Sequence, residues 1–169
     1  MSLQATSGSR PFLFSLLLYL AGDKLLIANA GDSRAVGSQS GIATRLSVDH
    51  RAEDESEIAR IVSAGGNVEF GRLEGELQVS RGLGDFCLEP GLTPEPHVAA
   101  LGTGEVDFVI LASDGVWDRV EDQEAVTLVA EAFIGGATPE AAAAELVAHA
   151  AEMRSTDDIG VVVVRMPRE

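Results

Sequence analysis

Aspartates at the ends of strand-like apolar runs constrain this chain more than any other feature of its sequence. They lie in three separated segments, Asn29–Arg34, Leu111–Asp118 and Ser155–Gly160. An apolar run precedes each of the first two segments, and another follows the third. Strand ends that bring carboxylates together form a site with oxygen ligands only, the kind that Mg²⁺ and Mn²⁺ prefer. The pattern therefore predicts a divalent-cation site.

The second segment contains the best-placed pair of carboxylates. Asp114 follows an apolar strand and precedes Gly115, and Asp118 comes four residues after Asp114. If the chain turns helical at Val116, the two carboxylates share one face, and a divalent cation relieves their repulsion. The alternatives are a turn or N-cap role for Asp114 and an exposed helical position for Asp118. From these residues alone, both interpretations stay open.

The other candidate residues have ordinary roles to weigh against metal binding. One of Asp157 and Asp158 is predicted to face the site, while the other caps the turn or faces water. Asp32 lies in a Gly-Asp-Ser-Arg turn, where an Asx turn is common. Arg34 is expected to pair with Asp32 or another acid rather than to clamp a phosphate. Asp85 ends a glycine-containing loop without the P-loop pattern, and it is predicted to fix that loop near the site.

The charge balance excludes several classes of partner and site. The chain has 27 Asp and Glu against 12 Lys and Arg, for a net charge of −15. Because it has no basic stripe, we expect no nucleic-acid partner. Its histidines are scattered, which argues against zinc. The single cysteine, Cys87, excludes an intramolecular disulfide and fits a reducing compartment, the cytoplasm or the nucleus.

The most apolar run, Phe12–Leu20, is too short to cross a membrane, because a spanning helix needs ~20 residues. As a signal peptide it lacks a small residue at Tyr19, where cleavage before Ala21 requires one. We therefore interpret it as a buried strand and expect no membrane partner. Residues 1–7, beginning Met-Ser-Leu, are interpreted as a vector remnant or as disordered.

The pattern of elements predicts one α+β domain spanning residues 1–169. Strand patterns occupy Phe12–Leu20, Lys24–Ala30, Arg34–Gly37, Ile42–Leu46, Leu77–Val79, Val106–Ala112 and Ile159–Val164. Helical patterns occupy residues 53–64, Asp122–Phe133 and Pro139–Met153, with Thr138 as the N-cap of the last. Because each ends beside an aspartate of the predicted site, Val106–Ala112 and Ile159–Val164 are predicted to be buried, adjacent strands of one sheet.

Seven motifs occur in an order that resembles the metal-dependent serine/threonine phosphatases of the protein phosphatase 2C family. They are Ala28–Ala35, Asp49-His50, Arg60–Gly66, Val79–Asp85, Pro94–Pro96, Leu111–Asp118 and Ser155–Asp158. The resemblance implies a layered α-β-β-α sandwich of antiparallel sheets and hydrolysis of phosphoproteins with two Mg²⁺ or Mn²⁺ ions. It also implies that Asp114 and Asp157 are metal ligands, with Asp32 and Asp118 near an additional metal position. Asp158 and Asp85 are expected further from the ions.

The chain also departs from the family pattern. Asp158 stands where the family usually has asparagine, and the early Glu-Asp pair and Asp-Gly-His-Gly metal turn are not found. The resemblance thus implies an N-terminally truncated catalytic domain with an incomplete sandwich, one supported metal site and weak or no activity alone. Self-association or a complementing N-terminal segment is expected to cover exposed sheet. The alternative is a catalytically impaired relative that binds a partner. If the chain proves active, Glu53, Asp54 and Asp85 are the first candidates to hold a second ion.

Overall fold

The computed structural model describes residues 12–167, so the expectation for residues 1–7 lies outside the described part. The strands are β1 (Phe12–Leu13), β2 (Ser15–Ala21), β3 (Lys24–Ala30), β4 (Arg34–Gln39), β5 (Ile42–Arg45), β6 (Val68–Glu69), β7 (Arg72–Leu73), β8 (Leu83–Gly84), β9 (His97–Gly102), β10 (Phe108–Ala112) and β11 (Val161–Arg165). The helices are α1 (Glu55–Ala64), α2 (Asp114–Trp117), α3 (Asp122–Ile134) and α4 (Pro139–Glu152). Short 3₁₀ turns occupy Phe86–Leu88 and Thr103–Glu105.

The first large sheet is built around β10, whose five residues are all buried. Its four strands run in the order β11-β10-β4-β5, and each neighbouring pair is antiparallel. A continuous apolar run fits this central position because both faces of the strand are covered. The predicted pairing of β10 with the last strand is confirmed, with Ala112 opposite Val161.

The second large sheet has three antiparallel strands in the order β2-β3-β9. Alternate residues of β2 and β3 turn toward the first sheet, as the two-residue period of a strand requires. The core between the sheets consists mainly of aliphatic side chains: Leu25, Ile27, Ala35, Leu46, Val106, Val109, Leu111 and Met166. The two sheets therefore form a sandwich.

Helices α3 and α4 cover the other face of the first sheet. Their small apolar residues pack closely against β10 and β11, with Phe108 meeting Phe133 edge to face at 5.4 Å between ring centroids. Thr138 caps α4 as predicted, since its hydroxyl accepts from the Ala141 N–H at 3.2 Å. The fold is α+β with antiparallel sheets, which confirms the predicted class.

Two strands predicted to be buried are covered on one side only. Leu17 and Tyr19 on β2 are 58% and 57% exposed, because β2 is an edge strand with one face outside the sandwich. β11 is also an edge strand, and its Val162 is 58% exposed while Val163 is buried. The apolar runs thus predicted correctly that these segments form strands, but they did not predict which residues of the strands are buried.

Other boundaries also differ from the sequence prediction. The strand β9 was not predicted, and its formation depends on pairing with β3. Leu77 and Val79 form isolated bridges with Leu73 and Arg51 instead of a strand. Helix α1 ends at Gly65 as predicted: this residue has φ 92°, and its N–H donates to the Val62 carbonyl.

Candidate metal centre

Asp114 lies where β10 passes into α2, beside two other aspartates. The Gly115 N–H donates to its Oδ1 at 2.9 Å. Burial raises the pKa of Asp114, and the negative charges of Asp157 and Asp118 raise it further. The fold thus brings together carboxylates from two separate segments. The chain turns helical at Asp114, two residues before Val116, the conditional helix start considered from the sequence, and the Asp118 N–H donates to the Asp114 carbonyl at 2.9 Å.

Hydrogen bonds around Ser113 hold Asp157 near Asp114. The Ser113 N–H donates to the Gly160 carbonyl at 3.0 Å, and the Gly160 N–H donates to Ser113 Oγ at 3.0 Å. Ser113 Oγ in turn donates to the Asp158 carbonyl at 2.8 Å. These bonds extend the β10–β11 pairing past the ends of the strands. They fix the loop that carries Asp157 and Asp158 beside the start of α2.

Gly115 permits the close approach of this loop. A Cβ on Gly115 would lie 2.5 Å from the Asp158 carbonyl oxygen, a main-chain atom with little freedom to move. Asp158 thus contacts α2 through its backbone, while its side chain is exposed. Its N–H donates to Asp157 Oδ1 at 2.8 Å. Of the two adjacent acids, Asp157 is the one whose charge acts on Asp114.

Asp32 comes from the turn between β3 and β4 and is 5% exposed. Burial raises its pKa to about 6, with a further contribution from the charge of Asp114 and an opposing one from Arg51. We use the name acidic cluster for Asp32, Asp114, Asp118 and Asp157. All four predicted residues therefore lie close enough for their charges to interact. Their role as metal ligands stays a prediction.

Arg51 was not singled out from the sequence. Its Nη2 lies 2.6 Å from Asp118 Oδ1 and 3.8 Å from Asp32 Oδ2. A single arginine after His50 in a loop has no periodic pattern that would mark it. Only the structure shows that the guanidinium of Arg51 lies between Asp32 and Asp118, which come from two separate segments of the chain.

Arg34 pairs with acids, as predicted, but its partners lie outside the acidic cluster. Its Nε donates to Asp49 at 3.1 Å, and its Nη1 donates to Asp122 at 2.6 Å. Its guanidinium also lies 5.3 Å from the centroid of the Trp117 ring. Arg34 therefore connects the Asp32 turn to α2 and α3.

The remaining predicted acids occupy neighbouring loops. Asp85 has φ 43° and begins a 3₁₀ turn, where its carbonyl accepts from the Leu88 N–H. Asp54 lies at the start of α1, and its Oδ2 accepts from the Arg51 N–H at 3.2 Å. Glu53 is exposed, and its carboxylate lies beside Gly71. A place for Asp85 beside the acidic cluster, or for Glu53 and Asp54 in holding an ion, stays a prediction.

A second polar network joins α1 to the loop that follows Val79. Glu57 is buried, and it accepts from Arg81 at 2.6 Å, from Ser80 Oγ at 2.5 Å and from Arg60 at 3.0 Å. Burial opposes its charge, but the hydrogen bonds from Arg81, Ser80 and Arg60 outweigh burial and lower the pKa of Glu57 to about 2. This network is structural, since it ties α1 to the chain that follows Val79.

The donor chemistry of the acidic cluster fits a hard cation. Its side chains offer only carboxylate oxygens, and their mutual repulsion would be relieved by positive charge. Among residues 12–167, no three His, Cys, Asp or Glu side chains converge closely enough to enclose an ion. An open arrangement still suits Mg²⁺, which usually keeps several waters and uses one or two carboxylates.

Comparison with known proteins places these features in context. The family model described as Protein phosphatase 2C matches residues 11–159. The chain is 42% identical over 149 residues to probable protein phosphatase 2C 32 of Oryza sativa subsp. japonica, covering 84% of this chain and 38% of that protein. It is 43% identical over 134 residues to protein phosphatase 2C homolog 3 of Schizosaccharomyces pombe, covering 74% and 32%. A solved serine-threonine phosphatase 2C from Toxoplasma gondii gives a TM-score of 0.79 at 28% identity, covering 91% of this chain and 58% of that one.

The chain shares its fold, an antiparallel sandwich with outer helices, with the solved phosphatase, and this places it in the same class of protein. The chain belongs to the protein phosphatase 2C family, as the sequence motifs indicated. It spans less than half the length of the curated relatives named above. Among residues 12–167, no helix is both long and apolar enough to cross a membrane.

Proposed function

We propose that this chain is part of a metal-dependent protein serine/threonine phosphatase, with Asp114 and Asp157 as ligands of Mg²⁺ or Mn²⁺. The observation that carries the proposal is the position of Asp114, partly buried at the end of β10, with Asp157 and Asp118 close enough to raise its pKa. In the absence of opposing charge, such an arrangement is costly, and a divalent cation removes that cost. Family membership supports the choice of reaction.

The residues have separate roles in this proposal. Asp114 and Asp157 hold the ion, and Asp32 and Asp118 add negative charge beside it. Ser113 and Gly115 hold the two loops together through the contacts described above. When bound, Mg²⁺ or Mn²⁺ lowers the pKa of water and neutralises charge on a phosphoryl group. The substrate is a phosphoprotein.

The extent of the domain is also part of the proposal. We take residues 1–169 to be one portion of a single catalytic domain. Exposed Leu17, Tyr19 and Val162 support this view, because such apolar edges are normally covered. A second copy or the remainder of a longer polypeptide fits this role. The exposed free Cys87 suits a reducing compartment, the cytoplasm or the nucleus.

Calorimetric titration with Mn²⁺ tests the site directly. We expect the wild-type chain to bind, Asp114→Asn to lose binding and Asp23→Asn, in the exposed turn between β2 and β3, to bind like the wild type. Equal binding by all three proteins would remove Asp114 from the site. Phosphopeptide hydrolysis with Mn²⁺ then tests the activity of the chain, which we expect to be low and to rise when a complementing N-terminal segment is supplied.

A second candidate function is a non-catalytic member of the family that binds a partner protein. The observation in its favour is that no three acidic or other ligating side chains converge among residues 12–167. Cation binding that is lost in Asp114→Asn, together with phosphopeptide turnover, would decide against it. A protein that binds no cation and hydrolyses nothing, even with the complementing segment, would decide for it.

A further inference from the structure

The one basic side chain found to contact the acidic cluster among residues 12–167 is Arg51. It reaches the cluster from the loop between β5 and α1, and its own N–H is held by Asp54 Oδ2 at 3.2 Å. Its guanidinium donates to Asp118 at 2.6 Å and lies 3.8 Å from Asp32. Arg34, although close in sequence to Asp32, is engaged instead with Asp49 and Asp122.

The contact between Arg51 and Asp118 is partly exposed to solvent. The side chains of Arg51 and Asp118 are 32% and 52% exposed, while that of Asp32 is 6% exposed. An ion pair with a half-exposed partner is weak, because water competes with it and salt screens it. The long arginine side chain can therefore turn to solvent without disturbing its anchored backbone.

We propose that Arg51 is a built-in counter-ion of the acidic cluster. Its side chain pairs with Asp32 and Asp118 in the metal-free protein and moves away when a divalent cation binds. The inference rests on the proposed function, because it concerns the same cation site. A metal ion held by Asp114 and Asp157 repels the guanidinium. It also competes with the guanidinium for the negative charge of Asp32 and Asp118, so binding of the ion favours departure of Arg51. Arg51 thus stabilises the empty site and lowers its affinity for the cation.

The test is a calorimetric titration with Mn²⁺ of the whole 169-residue chain and three variants. Arg51→Gln should bind at least about three-fold more tightly, because an opposing charge is gone. Arg51→Lys keeps the charge and should stay near the wild-type affinity. Arg45→Gln is the matched control, since Arg45 is an exposed arginine that pairs with Asp122 outside the acidic cluster. The gain of Arg51→Gln should shrink at high salt.

Thermal unfolding gives a readout without activity. In EDTA, Arg51→Gln should melt below the wild type, because the acidic cluster loses its internal cation. In saturating Mn²⁺ the difference should shrink or reverse. A variant damaged only in packing would melt lower in both conditions, which would contradict the proposal.

An NMR measurement on the wild type keeps the proposal testable if Arg51→Gln does not fold. The Nε–H signal of Arg51, identified by its absence in Arg51→Lys, should shift when diamagnetic Mg²⁺ is added. An unmoved signal in a protein that binds Mg²⁺ would overturn the proposal.

The outcomes separate this inference from the proposed function. If the wild type binds Mn²⁺ and Arg51→Gln binds no more tightly, the counter-ion role is wrong and the cation site stands. If Arg51→Gln binds and the wild type does not, the counter-ion role is supported in its strongest form. If neither binds, both ideas are overturned.

Discussion

Asp32 is the aspartate that the fold buries most deeply in the acidic cluster. Its side chain is 6% exposed, and the nearest cation, Arg51, is 3.8 Å away. Such a position is unfavourable for a charged carboxylate in the metal-free protein. The chain therefore keeps at residue 32 a group that lowers its stability, which is common at functional sites.

Replacement of Asp32 by asparagine should stabilise the metal-free protein at pH 7. The gain is up to about 3 kcal/mol, the free-energy equivalent of raising the pKa from 3.8 to about 6. Urea unfolding in EDTA measures it, with Asp23→Asn as the control for loss of one surface charge. With Mn²⁺ added, the wild type should gain more stability than Asp32→Asn. A destabilised Asp32→Asn in EDTA would show that hydrogen bonds to this carboxylate outweigh its burial.

Glu57 shows the opposite behaviour, and it gives a pH dependence. Because its pKa in the folded protein falls from 4.5 to about 2, Glu57 adds stability above about pH 4.5, and this is lost as the pH falls toward 2. The contribution at neutral pH is roughly 3 kcal/mol. The unfolding free energy of Glu57→Gln should therefore lie below that of the wild type at pH 7 and converge with it near pH 2. The exposed Glu55→Gln on the same helix should show no such difference.

At the scale of elements, the turn from β10 into α2 depends on a contact that only glycine allows. Gly115→Ala would place a methyl group 2.5 Å from the Asp158 carbonyl oxygen, so one of the two loops must shift. We expect a loss of about 1–3 kcal/mol and weaker Mn²⁺ binding, because the shift separates Asp114 from Asp157. Gly104→Ala, where nothing lies within 4 Å, is the control. Unchanged stability and binding in Gly115→Ala would show that the loops can yield without cost.

Elements with local signals were predicted well from the sequence. Helices α3 and α4 repeat apolar residues at helical spacing, and Thr138 and Pro139 mark the start of α4. The pairing of β10 with β11 also followed from their apolar runs and from the aspartates beside their ends. In contrast, β9 follows a proline-containing loop and becomes a strand through its partner β3, so its sequence alone gave no clear signal. Arg51 was missed for the same reason, because its role depends on residues distant in the chain.

At the scale of the whole molecule, the outer face of the β2-β3-β9 sheet is apolar and exposed. Leu17, Tyr19 and Val98 lie on it with 58%, 57% and 61% of their surfaces exposed. Edge strands with such faces favour association between chains. The prediction that β2 is buried failed here because its apolar residues lie on both faces of an edge strand.

Replacement of Leu17 by lysine should reduce association of the isolated chain. A charge on this face opposes contact with a second apolar surface. Sedimentation velocity over a range of concentrations measures the effect, and Val62→Lys on the exposed side of α1 is the control. A wild-type chain that stays monomeric at every concentration would show that this face is not self-complementary.

The central position of β10 has a consequence for biosynthesis. β10 pairs with β4, which is made much earlier, and with β11, which is made last among the described strands. Pairing between strands that are distant in the chain forms slowly. During synthesis, the earlier strands are unpaired until their later partners have been made. Asp32 therefore leaves the ribosome long before Asp157 can join it. A cation that binds only the joined segments would favour finished chains over partial ones, since binding to the native state alone shifts the folding equilibrium. Cellular Mg²⁺ or Mn²⁺ would then act as a checkpoint on whether the fold is complete.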